Sequence, residues 1–410
     1  MPEFLNLLPP DEARQRLLEY VPRKPRSESI ATESATGRVT AVDVQAAEPL
    51  PAFARTTVDG FAVRAADTFG ASESLPAYLN LVGEVPMGAA PAFGLGPAQC
   101  ALIHTGGMLP QGADAVVMVE YTQSLQTGEI EIQRAVALGE NILQAGEDVA
   151  IGEVVIPAGT RLGAAEIGGL MALGITQVSV ACKPCVAILS TGDEVIPPDL
   201  KPGLGQVRDV NAYSLSSLVE AAGGTALRYG IIPDRADRLF MMAAQALADA
   251  DIVVITAGSS ASTRDLTSEV INRLGKPGVL VHGVNVRPGK PTILGICNQK
   301  LVIGLPGNPV SALVIARLFI VPMIEAWSGL PPHKLTGRVT ARIALNLASQ
   351  AGREDWIPVR LIAEGDQYRA EPVFGKSNLI FTLVRADGLV RIAPDATGLQ
   401  AGEQVEVTLL

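Results

Sequence analysis

The chain is poor in the residue types that would announce a chemistry at once. Four cysteines (Cys100, Cys182, Cys185, Cys297) among 410 residues are too few for a disulfide framework. Cys182-Lys183-Pro184-Cys185 has the spacing of a redox or zinc half-site, but there is no second pair, so incidental thiols are the expectation. Only three histidines occur (His104, His282, His333), too scattered to suggest a transition-metal site, and a structural or solvated place is expected for each. Positive charge is scarce as well: 32 Lys and Arg against 42 Asp and Glu leave a net charge of −10. That argues against nucleic acid or an anionic membrane as partner, since both need a basic face. No apolar run is long enough to span a bilayer unbroken. The longest, residues 301–327, is interrupted by Pro306, Asn308, Pro309, Arg317 and Pro322 and suits a buried strand and helix. The first residues lack a basic segment followed by an apolar core, so nothing directs export and the cytoplasm is expected. Repeats and low-complexity tracts are absent.

What remains is a chain with 48% apolar and 18% charged residues, able to fold throughout and long enough for two to four domains. Between residues 185 and 310, apolar runs at 185–189, 225–232, 251–256 and 301–304 have the length and β-branched content of buried strands, and helical patterns follow several of them. This alternation predicts a doubly wound α/β domain with a mostly parallel sheet. Its strands end in short polar loops: Ser190-Thr191-Gly192-Asp193-Glu194, Pro233-Asp234, Ala257-Gly258-Ser259-Ser260 leading to Arg264-Asp265, Pro288-Gly289-Lys290-Pro291, and Leu305-Pro306-Gly307-Asn308-Pro309. In an open parallel sheet the carboxyl ends of the strands share one edge, where ligands bind. Gly258 with Ser259 and Ser260 can offer N–H groups to a phosphate, Lys290 a point charge, and Glu194, Asp234 and Asp265 hard oxygens to a divalent cation.

The rest of the chain reads as three further units. An amphipathic helix at 9–21 opens on Pro9, Pro10 and Asp11, and a short helix turning into a strand is expected across 29–43. Residues 1–48 and 140–180 together form a linker domain, whose N-terminal helix could instead pack on the α/β domain; it contains a strand at 154–156 and a helix at 164–173. Residues 49–139 form a β-rich inserted lobe, 181–328 the α/β domain, and 335–410 a C-terminal β-barrel.

Seven segments together resemble the molybdopterin molybdenumtransferase family, which includes the bacterial molybdenum-insertion enzymes and the corresponding domain of gephyrin. They are residues 53–64, 105–117, Gly146-Glu147-Asp148, 190–194, 287–291, 305–311 and Gly375-Lys376-Ser377. The resemblance spans nearly the whole chain. It implies an elongated homodimer of four-part subunits with an α/β molybdopterin-binding domain. The implied reaction is Mg²⁺-dependent insertion of molybdate into adenylylated molybdopterin, giving molybdenum cofactor and AMP. A pyrophosphate-like bridge needs charge neutralisation more than a covalent nucleophile, and acids beside a phosphate loop provide it.

By the same resemblance, Glu194, Asp234 and Asp265 hold Mg²⁺ or position the nucleotide, and Asp59, Thr105 and Asp148 reach the crevice of the other subunit as catalytic residues. Thr191, Gly192, Asp193, Gly258, Ser259, Ser260 and Lys290 are expected to bind substrate. Pro306, Gly307, Asn308 and Pro309 are expected to belong to the substrate-binding set, the two prolines by shaping the loop. Arg353 and Ser377 are expected to bind molybdate, a tetrahedral dianion suited to a guanidinium fork and a hydroxyl. Asp234 has an alternative duty as N-cap of a helix beginning at Arg235. Two departures stand out. Ala257 and Ser262 occupy glycine positions of the family's phosphate loop, and Ala54 replaces an acid. Ser262-Thr263-Arg264-Asp265-Leu266-Thr267 also resembles a signature of the molybdopterin adenylyltransferases, so adenylyl transfer is one alternative function and a non-catalytic scaffold another. The implied partners are the small-molecule substrate and a second copy of the chain, with transient contact to an adenylyltransferase and to apo-molybdoenzymes.

Overall fold

A computed structural model describes residues 7–257, 261–331 and 337–410, the side chains of 261–264 excepted. At its centre lies a six-stranded sheet in the order Thr225–Ile232, Cys185–Thr191, Ile252–Ala257, Lys300–Pro306, Ile293–Cys297, Pro277–His282. The first four strands are parallel, and Ile293–Cys297 runs antiparallel to both its neighbours, Lys300–Pro306 and Pro277–His282. Because side chains alternate along a strand, the sheet feeds two cores. Val186, Ile188, Ile252, Val254, Leu301 and Ile303 face one of them, where the helix Asn211–Ala221 and the helical run Pro309–Trp327 pack. Ala187, Leu189, Val253, Ile255 and Val302 face the other, against Ala236–Asp249 and Ala261–Leu274. Helices on both faces and a mainly parallel sheet are the doubly wound arrangement expected from the alternation.

The run Pro309–Trp327 is long and apolar enough to cross a bilayer by composition, yet 67% of it is buried inside the protein. Its Val314, Ile315, Phe319, Ile320 and Met323 are all at most 1% exposed, so its apolarity is that of a core helix. The first helix, Pro10–Leu18, has proline at its first position, acids Asp11 and Glu12 in the first turn and Arg16 in the last, each suited to the helix dipole. Its Ala13 and Leu17 are fully buried in the first of the two sheet cores.

Residues far apart in sequence build the next unit. Ser27–Ala31 pairs with Gln177–Ala181 and Val44–Gln45 with Val154–Ile156, around a core that includes Ala35, Ile156, Leu162, Leu170 and Val180. Here the order differs in part from expectation: a strand comes first, the helix is the single turn Thr32–Ser34, and within 29–43 strand pairing resumes only as the bridges of Val39 to Arg161 and Thr40 to Val180. A five-residue ladder to a partner 150 residues away outweighs the weak local helix preference of this segment. Between these strands the chain forms a β-rich lobe whose sheet runs Ala115–Met118, Gly60–Val63, Gln99–Ile103, Ala77–Glu84, Glu129–Ile132, Thr122–Ser124.

At the C-terminal end, Glu354–Glu364, Gln367–Pro372, Arg338–Ile343, Gln404–Leu409 and Gly388–Ile392 pair in that order, and Gly388–Ile392 returns to Glu354–Glu364. That return closes the barrel and leaves no free edge among these strands. Val286–Arg287, from the loop before Lys290, pairs parallel with Glu354–Asp355. The barrel is thereby fastened beside the loops of the α/β unit.

Candidate functional site

Two groups of side chains meet the requirements of a phosphate-bearing, oxyanion-using site. The first sits at the carboxyl edge of the parallel strands. Thr191 ends its strand buried, with its hydroxyl donating to the Thr256 carbonyl at 3.2 Å. Gly192 has φ +142°, and a Cβ there would come within 2.7 Å of the Glu194 carboxylate and 2.8 Å of Val195, so only glycine makes this turn without strain. The turn presents Asp193 and Glu194, both exposed. Asp193 Oδ1 accepts a 3.3 Å hydrogen bond from the Asp234 backbone N–H, which joins the loop after one strand to the loop after its neighbour.

Asp234 is half-buried beside Thr191, and its Oδ1 is buried with no partner among the described residues. Burial raises its pKa above the ordinary carboxylate value, and the nearby charges of Asp193 and Glu194 raise it further. The helix that follows begins at Ala236 with Arg235 as N-cap and no side-chain cap bond, so Asp234 does not cap it. Asp265 lies exposed near the start of Ala261–Leu274, the helix after the next strand of the sheet. It therefore follows the same sheet edge, but no group of three His, Cys, Asp or Glu side chains among the described residues is set to enclose a metal on its own. Gly258, Ser259 and Ser260 lie outside the described residues. Ala257 is the last residue of its strand, 4% exposed and paired with Pro306, a position that accepts a Cβ.

The second group lines a cavity of about 760 Å³ between the α/β loops and the barrel. It brings together Lys290, Pro306, Asn308, Arg353 and Ser377, which the sequence scatters over almost ninety residues. Asn308 Nδ2 donates to Ser377 Oγ at 3.0 Å, and the Val310 N–H donates to the Ser377 carbonyl at 3.0 Å, so loop and barrel hold each other. Pro309 occupies the first position of the helix Pro309–Ile315, where its missing N–H costs nothing. Gly289 has φ +112°, and a Cβ would overlap the Ile315 side chain, so glycine lets the Lys290 loop lie directly on the core helix. Arg353 forms a two-pronged pair with Asp355 at 2.7 and 3.1 Å, and Asp355 is fully buried. Arg287 stands 3.7 Å from the same carboxylate.

Arg287 and Lys376 also line this cavity, and among the described residues Arg287, Lys290, Arg353 and Lys376 are its charged lining, with no Asp or Glu beside them in the wall. Arg287 and Lys376 were not among the expected binding residues, although both fall inside the family-like segments 287–291 and 375–377. The loop after Lys300–Pro306 leaves the same carboxyl edge of the parallel strands as the acids do. Asn211 Nδ2 donates to the Gly307 carbonyl at 2.8 Å, and Pro306 and Asn308 on either side line the cavity.

The β-rich lobe holds Asp59 and Thr105 together: the Thr105 N–H and hydroxyl both reach Asp59 Oδ1, at 2.8 and 3.2 Å. The backbone hydrogen bond from Thr105, followed by its hydroxyl, holds the Asp59 pKa below the usual range. His104, expected to be structural or solvated, is partly exposed, with Nδ1 3.6 Å from Asp59 and Nε2 3.2 Å from Glu84. Sequence separations of 45 and 20 residues hid that grouping. Asp148 is exposed, and its N–H donates to the Leu50 carbonyl at 3.0 Å. Asp59, Thr105 and Asp148 do not line the cavity of their own chain.

Comparison with known proteins agrees along the full length. Residues 8–174 match the description "MoeA N-terminal region (domain I and II)", 187–326 a "Probable molybdopterin binding domain", and 340–410 "MoeA C-terminal region (domain IV)". The molybdopterin molybdenumtransferase of Bacillus subtilis is 32% identical over 410 residues, covering 98% of this chain and 94% of that one. The protein of the same name from Nostoc is 32% identical over 383 residues, covering 92% and 87%. The crystal structure of a molybdopterin biosynthesis moeA protein from Pyrococcus horikoshii OT3 superposes with a TM-score of 0.86 at 32% identity, covering 99% of this chain and all of that one.

Proposed function

The chain belongs to the MoeA family, whose curated bacterial members are named molybdopterin molybdenumtransferase, and from that premise we propose that it inserts molybdate into adenylylated molybdopterin, releasing molybdenum cofactor and AMP. The observation that carries this reading is the carboxyl edge of the parallel strands, where acids follow Cys185–Thr191 and Thr225–Ile232 and the strand ending at Pro306 runs into a cavity whose described charged lining residues are all cationic. An elongated substrate with a nucleotide at one end and an oxyanion acceptor at the other needs that pairing.

The acids suit Mg²⁺. Asp234 has a buried oxygen with no partner among the described residues, beside two like charges, which is the environment a cation relieves. Mg²⁺ commonly takes only one or two carboxylates and completes its shell with substrate phosphate oxygens, so a self-sufficient triad of acids is not required. Glu194 and Asp234, with Asp265 from the first turns of Ala261–Leu274, would hold it. When bound, the ion neutralises charge on the phosphoanhydride. The protein's own part is positioning. Asp193 fixes the Asp234 backbone, Lys290, Arg353 and Ser377 hold the oxyanion, and Asn308 orients the Ser377 hydroxyl.

Asp59, Thr105 and Asp148 complete the site if a second copy supplies them, so a homodimer is part of the proposal. The work is assigned to the cytoplasm, with transient contact to the enzyme that makes the adenylylated substrate and to the apo-enzymes that take the cofactor. The test is AMP release from adenylylated molybdopterin with Mg²⁺ and each oxyanion in turn. Release that requires molybdate or tungstate is expected. No release, or consumption of ATP with bare molybdopterin, points instead to a scaffold or to adenylyl transfer.

A further inference from the structure

The cationic cavity is much larger than the oxyanion assigned to it. A tetrahedral dianion displaces on the order of two or three waters, below about 100 Å³, whereas this cavity measures about 760 Å³, the size of a site for an organic ligand. Two aromatic side chains are part of its wall. Trp356 is half-buried and its indole N–H is already committed to Glu354 at 2.6 Å, so its ring position is fixed. Phe374 lines the mouth and is 71% exposed. It directly precedes the segment bearing Lys376 and Ser377. Neither Lys290 nor Lys376 belongs to an ion pair among the described residues, whereas Arg353 is tied to Asp355 and Arg287 lies near it. A bare phenyl face beside unpaired cations is the arrangement that receives a planar heteroaromatic ring carrying an anionic substituent.

We propose that Phe374 is a substrate-binding residue, a stacking platform at the mouth of this cavity for the planar ring system of the substrate. Resting on the function proposed above, that ring is the pterin, because the oxyanion must meet the sulfurs attached to it. The nucleotide end then reaches across the loop at Pro306 to Pro309 toward Asp193, Glu194 and Asp234. Substrate polarity follows: ring and sulfur end in the cavity, adenylyl end in the acidic crevice.

The exposure of Phe374 allows its truncation without a core defect. In steady-state AMP release, Phe374→Ala is expected to raise KM for adenylylated molybdopterin about tenfold, the scale of one lost ring stack, with half-saturation by molybdate unchanged. Phe374→Leu keeps an apolar side chain without a face and stays impaired. Phe374→Trp restores KM, and its added indole fluorescence is quenched by the substrate. A KM unchanged in Phe374→Ala, a parallel loss of molybdate affinity, or full rescue by Phe374→Leu overturns the proposal while leaving the enzymatic reading intact. An unchanged KM with impaired delivery to an apo-enzyme would mark the residue as a protein-docking contact, which also overturns it. A wild-type protein that neither binds the pterin substrate nor releases AMP overturns both.

Discussion

Replacing Asp234 by asparagine is expected to raise the thermal midpoint of the protein while lowering AMP release roughly 10²–10³-fold, the usual loss when one electrostatic group of a phosphate site is removed. The two effects have one cause. Burial, and then the charges of Asp193 and Glu194, raise the Asp234 pKa above its unfolded value, so the folded chain binds that proton more tightly than the unfolded chain. A carboxyl shifted in this direction contributes its stability fully below the ordinary carboxylate range and loses it as pH rises through the raised folded value. At neutral pH the charged side chain therefore works against folding, and asparagine removes the charge while keeping the shape. Midpoints measured from pH 4 to 8 are expected to fall less with rising pH in Asp234→Asn than in wild type. Added Mg²⁺ should stabilise wild type more than the variant, since a ligand raises stability only as far as it binds the folded state. A variant that is both active and less stable would show that Asp234 is a structural hydrogen-bonding residue.

Arg353→Ala has the largest expected structural cost. Asp355 is fully buried and held by both prongs of the Arg353 guanidinium, so removing the arginine strands a charge, at about 3–5 kcal/mol. Arg287, 3.7 Å away, places the effect toward the lower end. The double change Arg353→Ala with Asp355→Ala removes both charges and should recover most of the stability, because burying neither charge is often as good as burying a pair. Oxyanion dependence separates structure from function: the double variant is expected to fold yet need a far higher molybdate concentration. Denaturant unfolding and molybdate titration of AMP release, run on both variants, check this. Recovery of stability and molybdate affinity together would assign Arg353 to fold maintenance alone.

The α/β architecture was legible because its strands are short, continuous apolar runs followed by glycine- and proline-bearing loops, a pattern that leaves few topologies open. The turn at Gly192 and the loop at Pro306 to Pro309 were readable for the same local reason. Less accessible was everything held by distant partners. The strand Ser27–Ala31 owes its form to Gln177–Ala181, and no local signal marks that pairing. Asp355 reads as an ordinary acid until its burial beneath Arg353 is seen. Phe374 and Trp356 had no periodicity to distinguish them, because their place in the cavity depends on how the barrel meets the α/β loops. The acids after successive strands are brought to one edge by the sheet itself, but only the fold reveals that Asp193 and Asp234 touch while Asp59, Thr105 and Asp148 lie outside the cavity of their own chain.

The placement on which the whole account depends can be observed directly by diffraction at the molybdenum absorption edge, with crystals of the protein soaked in molybdate. One anomalous peak is expected inside the cavity, within hydrogen-bonding reach of Lys290, Arg353 and Ser377, and it is expected to disappear in Arg353→Ala combined with Asp355→Ala. A peak at the acidic edge near Glu194 and Asp234, or an empty cavity at saturating molybdate, would contradict it.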